Sequence, residues 1–162
     1  MVARDRLDTI TGVGKRAAEC IIAEIGVDMT VFPTAGHLAS WAGICPGNNS
    51  SGGKHRPGRT RHGSMWLRIA LTEAAHVAAR GKGTYLAAHH AQIRGRRGTQ
   101  KAIGATRHDI LIAYYHITRD HVPYRELGPD WLARRHSVEH RTRRLVKQLE
   151  ALGHTVSLEA AA

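Results

Sequence analysis

Residues 7–22, LDTITGVGKRAAECII, decide the predicted fold, because a helical spacing of apolar residues is broken there by two glycines. Apolar side chains recur every three or four residues on both sides of Gly12-Val13-Gly14, which is typical of two short amphipathic helices joined by a tight turn. The apolar positions that define the two helices are Leu7, Ile10, Val13, Ala17, Ile21 and Ile25. The second helix is predicted over 15–25, with Gly26 as its stop.

This stretch resembles a helix-hairpin-helix, a small element that binds DNA without reading its sequence. Two glycines permit a tight turn and leave backbone N–H groups uncovered at the start of the second helix, where a phosphate is favoured. We therefore predict contacts to the DNA backbone from Gly12, Val13, Gly14, Lys15 and Arg16. The alternative is a plain pair of helices that binds no ligand.

The rest of the chain is predicted to be mainly α-helical. Further helices are expected over 34–42, from Ser64 to about 80, and over 84–94, 99–120 and 131–152, with a turn over 95–98. Residues 43–63 hold six glycines and two prolines, which predict a long loop or a β-hairpin. The expected fold class is thus a helix-hairpin-helix followed by a glycine-rich basic loop and a bundle of helices. We expect residues 1–125 to form one domain and residues 126–162 a C-terminal helix with a frayed tail.

Four aromatic residues are assigned by their surroundings in the sequence. Tyr114 and Tyr115 lie in the most apolar predicted helix, and we expect them in the core rather than as recombinase nucleophiles. Trp41 and Trp66 are likewise expected in the core rather than as groups that stack on bases.

The charge of the chain is concentrated in its middle. The 162 residues include 24 Lys and Arg against 13 Asp and Glu, a net charge of +11. Residues 29–108 contain twelve of the basic residues and a single acid, Glu73, so they account for the whole excess. A defined basic surface that binds a polyanion, most simply nucleic acid, is therefore expected.

Several other classes of protein do not fit the sequence. The two cysteines, Cys20 and Cys45, form no paired motif, and the histidines have no set of partners with metal-ligand spacing, so we expect neither a disulfide scaffold nor a metal site. There is no apolar signal core and no apolar run of transmembrane length. A cytoplasmic protein with access to the nucleoid is expected.

The glycine-rich loop carries the groups that DNA strand chemistry needs. A serine that attacks a phosphodiester must be exposed, must have cations nearby, and must lose its proton. Ser50 and Ser51 are the candidate nucleophiles, and His55 or His62 could move the proton. The cations of the loop and of the helix after it are Lys54, Arg56, Arg59, Arg61 and Arg68. The alternatives are a basic loop that lies on DNA without chemistry and, for Arg68, a solvated surface position.

An ordered series of motifs then adds a family resemblance over roughly residues 5–125. The series includes ITGVG (10–14), AEIG (23–26), FPTA (32–35), LASWAGICPG (38–47), Ser51-Gly52 and WLR (66–68). It resembles the C-terminal transposase domain of the insertion-sequence family that includes the pilin-gene inverting recombinase and the bridge-RNA-guided recombinases.

The resemblance implies a role in DNA transposition with a serine that becomes joined to DNA. The family serine matches Ser51, and Ser50 is the close alternative. Full-length members also carry an N-terminal RuvC-like domain with four acidic metal ligands, for which this sequence offers no counterpart. We therefore expect a truncated or separated part of a transposase, with no cofactor in this chain and a divalent metal only in the RuvC-like domain.

The expected partner is DNA, with a guide RNA as a further candidate. We also expect either further copies of the chain or a RuvC-like domain as a protein partner, and no binding to a membrane. The alternative function is a non-catalytic module that binds DNA or RNA.

Overall fold

The computed structural model describes residues 2–46, 50–55, 58, 60–135 and 138–159, and these form two units, Met1–Pro129 and Asp130–Ala162. The prediction of a mainly α-helical fold is confirmed. The first unit holds, in chain order, α1 (Ala3–Leu7), α2 (Lys15–Ile25), a 3₁₀ turn (Met29–Val31), α3 (Ala35–Trp41), β1 (Ser50–Ser51), β2 (Lys54–His55), α4 (Met65–Ala78), α5 (Tyr85–Arg97) and α6 (Thr99–Asp120).

Helix starts agree with the capping residues that the sequence shows. The side-chain oxygens of Thr34, Ser64 and Thr84 accept hydrogen bonds from the backbone N–H three residues later, at the starts of α3, α4 and α5. Each bond satisfies one of the free N–H groups of the first turn, which is why helices begin at such residues. Helix α6 stops at His121, which has a left-handed backbone conformation, before Pro123.

Helix α6 is the centre of the first unit, since α1, α3, α4, α5 and the 3₁₀ turn all pack against it. Tyr114 donates its hydroxyl to the carbonyl of Gly26, and Tyr115 donates to the carbonyl of Phe32 at 3.0 Å. Both side chains are buried, so these bonds satisfy hydroxyl groups inside the core and hold the connection between α2 and α3. The prediction that both tyrosines belong to the core is confirmed.

The hairpin turn between α1 and α2 lies directly on the backbone of α4. Gly12 has a φ of +91°, and a Cβ atom placed there would be 2.5 Å from the carbonyl oxygen of Ala74 and 2.6 Å from the nitrogen of Ala78. Ala74 and Ala78 are themselves fully buried. Small residues on both sides therefore allow two backbones to touch.

The chain returns to this turn after α6. The carboxylate of Glu126 accepts hydrogen bonds from the backbone N–H of Tyr85 at 2.7 Å and from the Thr11 hydroxyl at 3.3 Å. The N–H of Tyr124 donates to the Thr9 hydroxyl at 2.8 Å. Glu126 thus caps α5 and holds the segment after α6 against the α1–α2 turn, a role that no local sequence pattern indicates.

Two predictions about the first unit are wrong. The predicted turn over 95–98 is the last turn of α5, which continues to Arg97 and stops at Gly98, whose φ is +83°. Gly95 is tolerated inside the helix, and three arginines in the last turn favour its continuation because they face the negative end of the helix dipole. Trp41 and Trp66 are 54% and 62% exposed rather than in the core.

The second unit contains α7 (Trp131–Arg135) and α8 (Val138–Ala151), within the range predicted as one helix, and residues 136–137 lie outside the described residues. Among the described residues of this unit, five large apolar side chains are exposed: Val138, Leu145, Leu149, Leu152 and Leu158.

The contact between Gly12 and α4 predicts a large effect of one added methyl group. Gly12→Ala should lower the free energy of unfolding by about 2–4 kcal/mol, because the new Cβ both strains a positive φ and overlaps the α4 backbone. Urea unfolding followed by circular dichroism measures this. Gly95→Ala is the matched control: its Cβ would meet open space within a helix, so it should be neutral or stabilising by about 0.5–1 kcal/mol. Equal effects of the two changes would contradict the packing argument.

A buried histidine between α5 and α6 predicts sensitivity to acid. His90 is 5% exposed, and its Nδ1 lies 3.1 Å from the Thr106 hydroxyl, which already donates to the carbonyl of Ala102 at 3.0 Å. The hydroxyl therefore accepts from His90, which places a proton on Nδ1 of a neutral ring. Burial, with a smaller contribution from Arg94, lowers the pKa of His90.

Because the unfolded chain takes up the His90 proton first as the pH falls, the stability contributed by the neutral ring should be complete above about pH 6.5 and decline below it. Urea unfolding of the wild type and of His90→Gln between about pH 5 and about pH 8 tests this. The stability difference in favour of the wild type should shrink on the acid side. Parallel profiles across the range would show that His90 does not titrate differently in the two states.

Candidate nucleic-acid interface

The two ends of the glycine-rich loop are pinned together at the surface of the helix bundle. Gly43 has a φ of +70°, and a Cβ there would lie 2.8 Å from the carbonyl oxygen of Arg61. A Cβ on Gly63 would collide with the carbonyl of Ala42. We call this crossing the loop foot. Since backbone meets backbone at both glycines, the foot is held where α3 ends and α4 begins.

Arg61 strengthens the loop foot with its side chain. One guanidinium nitrogen lies 2.8 Å from the Ser40 hydroxyl and 3.4 Å from the Ser40 carbonyl oxygen. The predicted cation Arg61 is therefore bound to α3, and the residue is exposed. The described strand residues Ser50, Ser51 and Lys54 are exposed as well.

The tip of the loop is a small β-hairpin, as the glycine and serine pattern allows. Ser50 pairs with His55 and Ser51 with Lys54, and the connecting Gly52 and Gly53 have φ values of +55° and +74°. Two positive φ angles are what a two-residue type I′ turn requires, so glycine suits both positions. Residues directly opposite in an antiparallel pair project from the same face. Ser51 and Lys54 therefore share one face of the hairpin, and Ser50 projects from the other.

Two predicted cations of this loop, Arg56 and Arg59, lie outside the described residues.

The predicted phosphate site at the α1–α2 turn is covered by packing on one side and exposed on the other. Gly12 is packed on α4, and Val13 is 2% exposed, so neither offers a side chain to a ligand. Gly14, Lys15 and Arg16 are exposed at the N-terminus of α2, and Gly14 provides no side-chain cap. The first N–H groups of α2 and two cations thus face outward together, an arrangement that favours an anion.

An open cleft of about 330 Å³ lies beside the loop foot and contains a tryptophan that the sequence pattern assigns to the core. Trp41 packs edge-on against Phe32 with 5.5 Å between ring centroids, and it lines the cleft with His37, Arg61 and His62. An exposed tryptophan beside an arginine is a surface that can stack on a base. From the sequence alone, the apolar character of Trp41 predicts burial. In the structure Trp41 is the last residue of α3 and is exposed.

A second, narrower cleft lies under the loop foot and brings together side chains from α4 and α6. Gly63, Ser64, Arg68 and Arg107 line it. Arg107 is absent from the set of DNA contacts predicted from the sequence, because a single arginine within a predicted core helix indicates no ligand.

The described residues contain no group of three or more His, Cys, Asp or Glu side chains that could hold a metal ion. One histidine–carboxylate pair, His89 Nδ1 and Asp109 Oδ2, is 2.6 Å apart and links α5 to α6. Of the helices that the structure describes, none is long and apolar enough to span a membrane.

Comparisons with known proteins agree on one family. The model of the IS116/IS110/IS902 transposase family matches residues 4–91. The insertion element IS110 uncharacterized 43.6 kDa protein of Streptomyces coelicolor is 36% identical over 115 residues, which are 67% of this chain and 27% of that protein. A probable family 20 transposase of Pseudomonas aeruginosa is 33% identical over 76 residues, which are 46% of this chain and 22% of that protein. The chain thus matches about a quarter of the length of these relatives.

Proposed function

The chain belongs to the IS116/IS110/IS902 transposase family, and we propose that it is a DNA-binding domain that handles DNA strands in transposition. The observation that carries the proposal is the grouping of exposed cations around the loop foot and the hairpin tip, in a segment whose single acid is Glu73. Such a surface attracts the phosphate backbone of nucleic acid. The charge supports binding to nucleic acid, and membership of the transposase family supports a role in transposition.

The contact to DNA is proposed at two places. The exposed N-terminus of α2, with Gly14, Lys15 and Arg16, would bind a phosphate through backbone N–H groups and two cations. Gly12 and Val13 would support that turn through packing, since their side-chain positions are covered. The loop cations Lys54, Arg56, Arg59 and Arg61, followed by Arg68, would bind a second stretch of backbone.

We assign the nucleophile to Ser51, with Ser50 as the alternative. Ser51 is exposed on the hairpin face that it shares with Lys54, so an ammonium group is available beside the position where a phosphate would be attacked. Ser50 projects from the opposite face of the hairpin. This difference in register, added to the family pattern, favours Ser51.

The proposed step is a transesterification. The Ser51 oxygen forms a bond to phosphorus while the bond from phosphorus to one deoxyribose oxygen breaks. The serine proton leaves, and the departing sugar oxygen takes up a proton, so bonds and charges balance without an external energy source. His55 or His62 would move the proton, and Lys54 and the loop arginines would stabilise the negative charge on the phosphate oxygens.

The proposed partners follow from this chemistry. A RuvC-like domain would supply the acidic metal site, and further copies of the chain would supply the other serines that an exchange of strands needs. A guide RNA is a further candidate for the basic surface. If no strand chemistry occurs, the function is that of a non-catalytic module that binds DNA or RNA.

The cations at the start of α2 predict a charge-dependent weakening of DNA binding on substitution. Replacing Lys15 and Arg16 together by Gln should weaken binding to duplex DNA and reduce the slope of log affinity against log salt by about 0.9 for each phosphate that is no longer bound. Fluorescence anisotropy at several salt concentrations measures both. Arg4→Gln is the control, because Arg4 is already paired with Glu19 at 3.2 Å and with Asp5 at 3.3 Å. If the double variant binds with the wild-type slope, the start of α2 does not contact DNA.

The nucleophile predicts a covalent adduct that one substitution abolishes. Ser51→Ala should eliminate a protein–DNA adduct resolved by denaturing electrophoresis with labelled, nicked DNA, and it should leave DNA affinity nearly unchanged. Ser50→Ala is the matched control, since it removes the same oxygen from the neighbouring position. Loss of the adduct in Ser50→Ala instead would move the assignment by one residue. No adduct from the wild type with a RuvC-like domain supplied would favour the binding module.

A further inference from the structure

The narrow cleft under the loop foot has a built-in deficit of hydrogen-bond acceptors. One terminal nitrogen of Arg107 donates to the Thr72 hydroxyl at 3.3 Å, and that hydroxyl donates to the carbonyl of Arg68 at 2.6 Å. The Nε–H of Arg107 is buried and has no hydrogen-bond partner among the described residues. Leaving a buried, charged donor without a hydrogen bond is unfavourable. The site therefore lacks an acceptor, which a ligand could provide.

The same cleft holds two cations without a compensating carboxylate. Arg68 lines it from α4 and Arg107 from α6, and within the described residues neither makes an ion pair. Burial, followed by the charge of Arg68, lowers the pKa of Arg107. By contrast, Arg4 and Arg119 are both paired with carboxylates. Like charges held together in a partly buried place are unfavourable unless an anion joins them.

The backbone around the two arginines also favours an anion. Ser64 caps α4, a helix of 14 residues, so the N-terminus of that helix opens beside the cleft. Gly63 precedes it at the loop foot, where the absence of a side chain lets the backbone come close to its neighbours. The helix end contributes partial positive charge to a place that already carries two guanidinium groups.

We propose that Arg68, Arg107 and the Gly63-Ser64 start of α4 form a binding site for one phosphodiester group of DNA. The cleft has a volume of about 10 Å³, which is room for one oxygen atom. One phosphate oxygen would enter it, accept from the buried Nε–H of Arg107 and place negative charge between the two guanidinium groups, while the rest of the phosphate stays at the mouth of the cleft. This inference rests on the proposed function, which brings DNA to the loop foot. It adds a residue of the central helix, Arg107, to a surface otherwise formed by the hairpin turn, the loop and α4.

The proposal predicts specific effects of substituting Arg107. Arg107→Gln should weaken duplex DNA binding about 10-fold and reduce the salt slope by about 0.9, as expected for one phosphate contact. Arg107→Lys should keep most of the slope, since it keeps the charge, while losing part of the affinity because the planar guanidinium is gone. Arg119→Gln is the control on the same helix, because Arg119 is neutralised by Asp120 at 2.6 Å and should change neither quantity.

A second measurement separates a binding role from a structural one. The ¹H–¹⁵N resonance of the Arg107 Nε–H, assigned by its absence in Arg107→Lys, should shift when duplex DNA is added to the full chain. Inorganic phosphate is titrated in a parallel sample. If this resonance shifts with inorganic phosphate but not with duplex DNA, although the protein binds DNA, then the site does not bind a phosphate group of DNA.

The remaining outcomes distinguish the two proposals. If the wild type binds DNA while Arg107→Gln, folded at the temperature of the assay, has the wild-type affinity and slope, the Arg107 site is wrong and the proposed function stands. If the wild type does not bind DNA at all, the proposed function fails, and the site as a DNA contact fails with it.

Discussion

The contact between Gly12 and the backbone of α4 is the constraint on which the rest of the first unit depends. A glycine with positive φ meets a helix whose facing residues, Ala74 and Ala78, have only methyl side chains, so two backbones can touch. This contact sets the height of the α1–α2 turn on α4 and therefore the direction in which α2 begins. The exposed N-terminus of α2 points outward because the opposite side of the turn is closed by packing.

Helix α4 serves two positions of the candidate interface at once. Its middle supports the hairpin turn, and its first residue follows the loop foot, where Gly43 and Gly63 cross neighbouring backbone. The phosphate-binding candidates on α2 and the glycine-rich loop are thus mounted on one helix, which in turn packs on α6. A loop with a pinned foot can present an exposed tip at a defined place, and catalytic groups on surface loops need such support.

Local sequence signals predict most helices, because those signals act over a few residues. The extents of α2 and α6, the caps Thr34 and Ser64, and the burial of both tyrosines follow from spacing, caps and glycines. The errors arise where the surroundings of a residue in the folded protein, rather than its type, determine its structure or its exposure. Gly95 predicts a break although its helix continues, and the apolar character of two tryptophans predicts burial although both lie on the surface.

The sequence by itself determined the helical class, the family, the glycine turn between the first two helices, and the position of the excess charge along the chain, since each of these is a pattern of neighbouring residues. Only the tertiary structure decided which of those residues face outward together. It closed Gly12 and Val13 by packing, placed Ser51 and Lys54 on one face of the loop tip, and brought Arg107 of α6 beside Arg68 of α4. The reason is physical: side chains far apart in sequence share a site only when packed helices bring them together, and no local spacing encodes that distance.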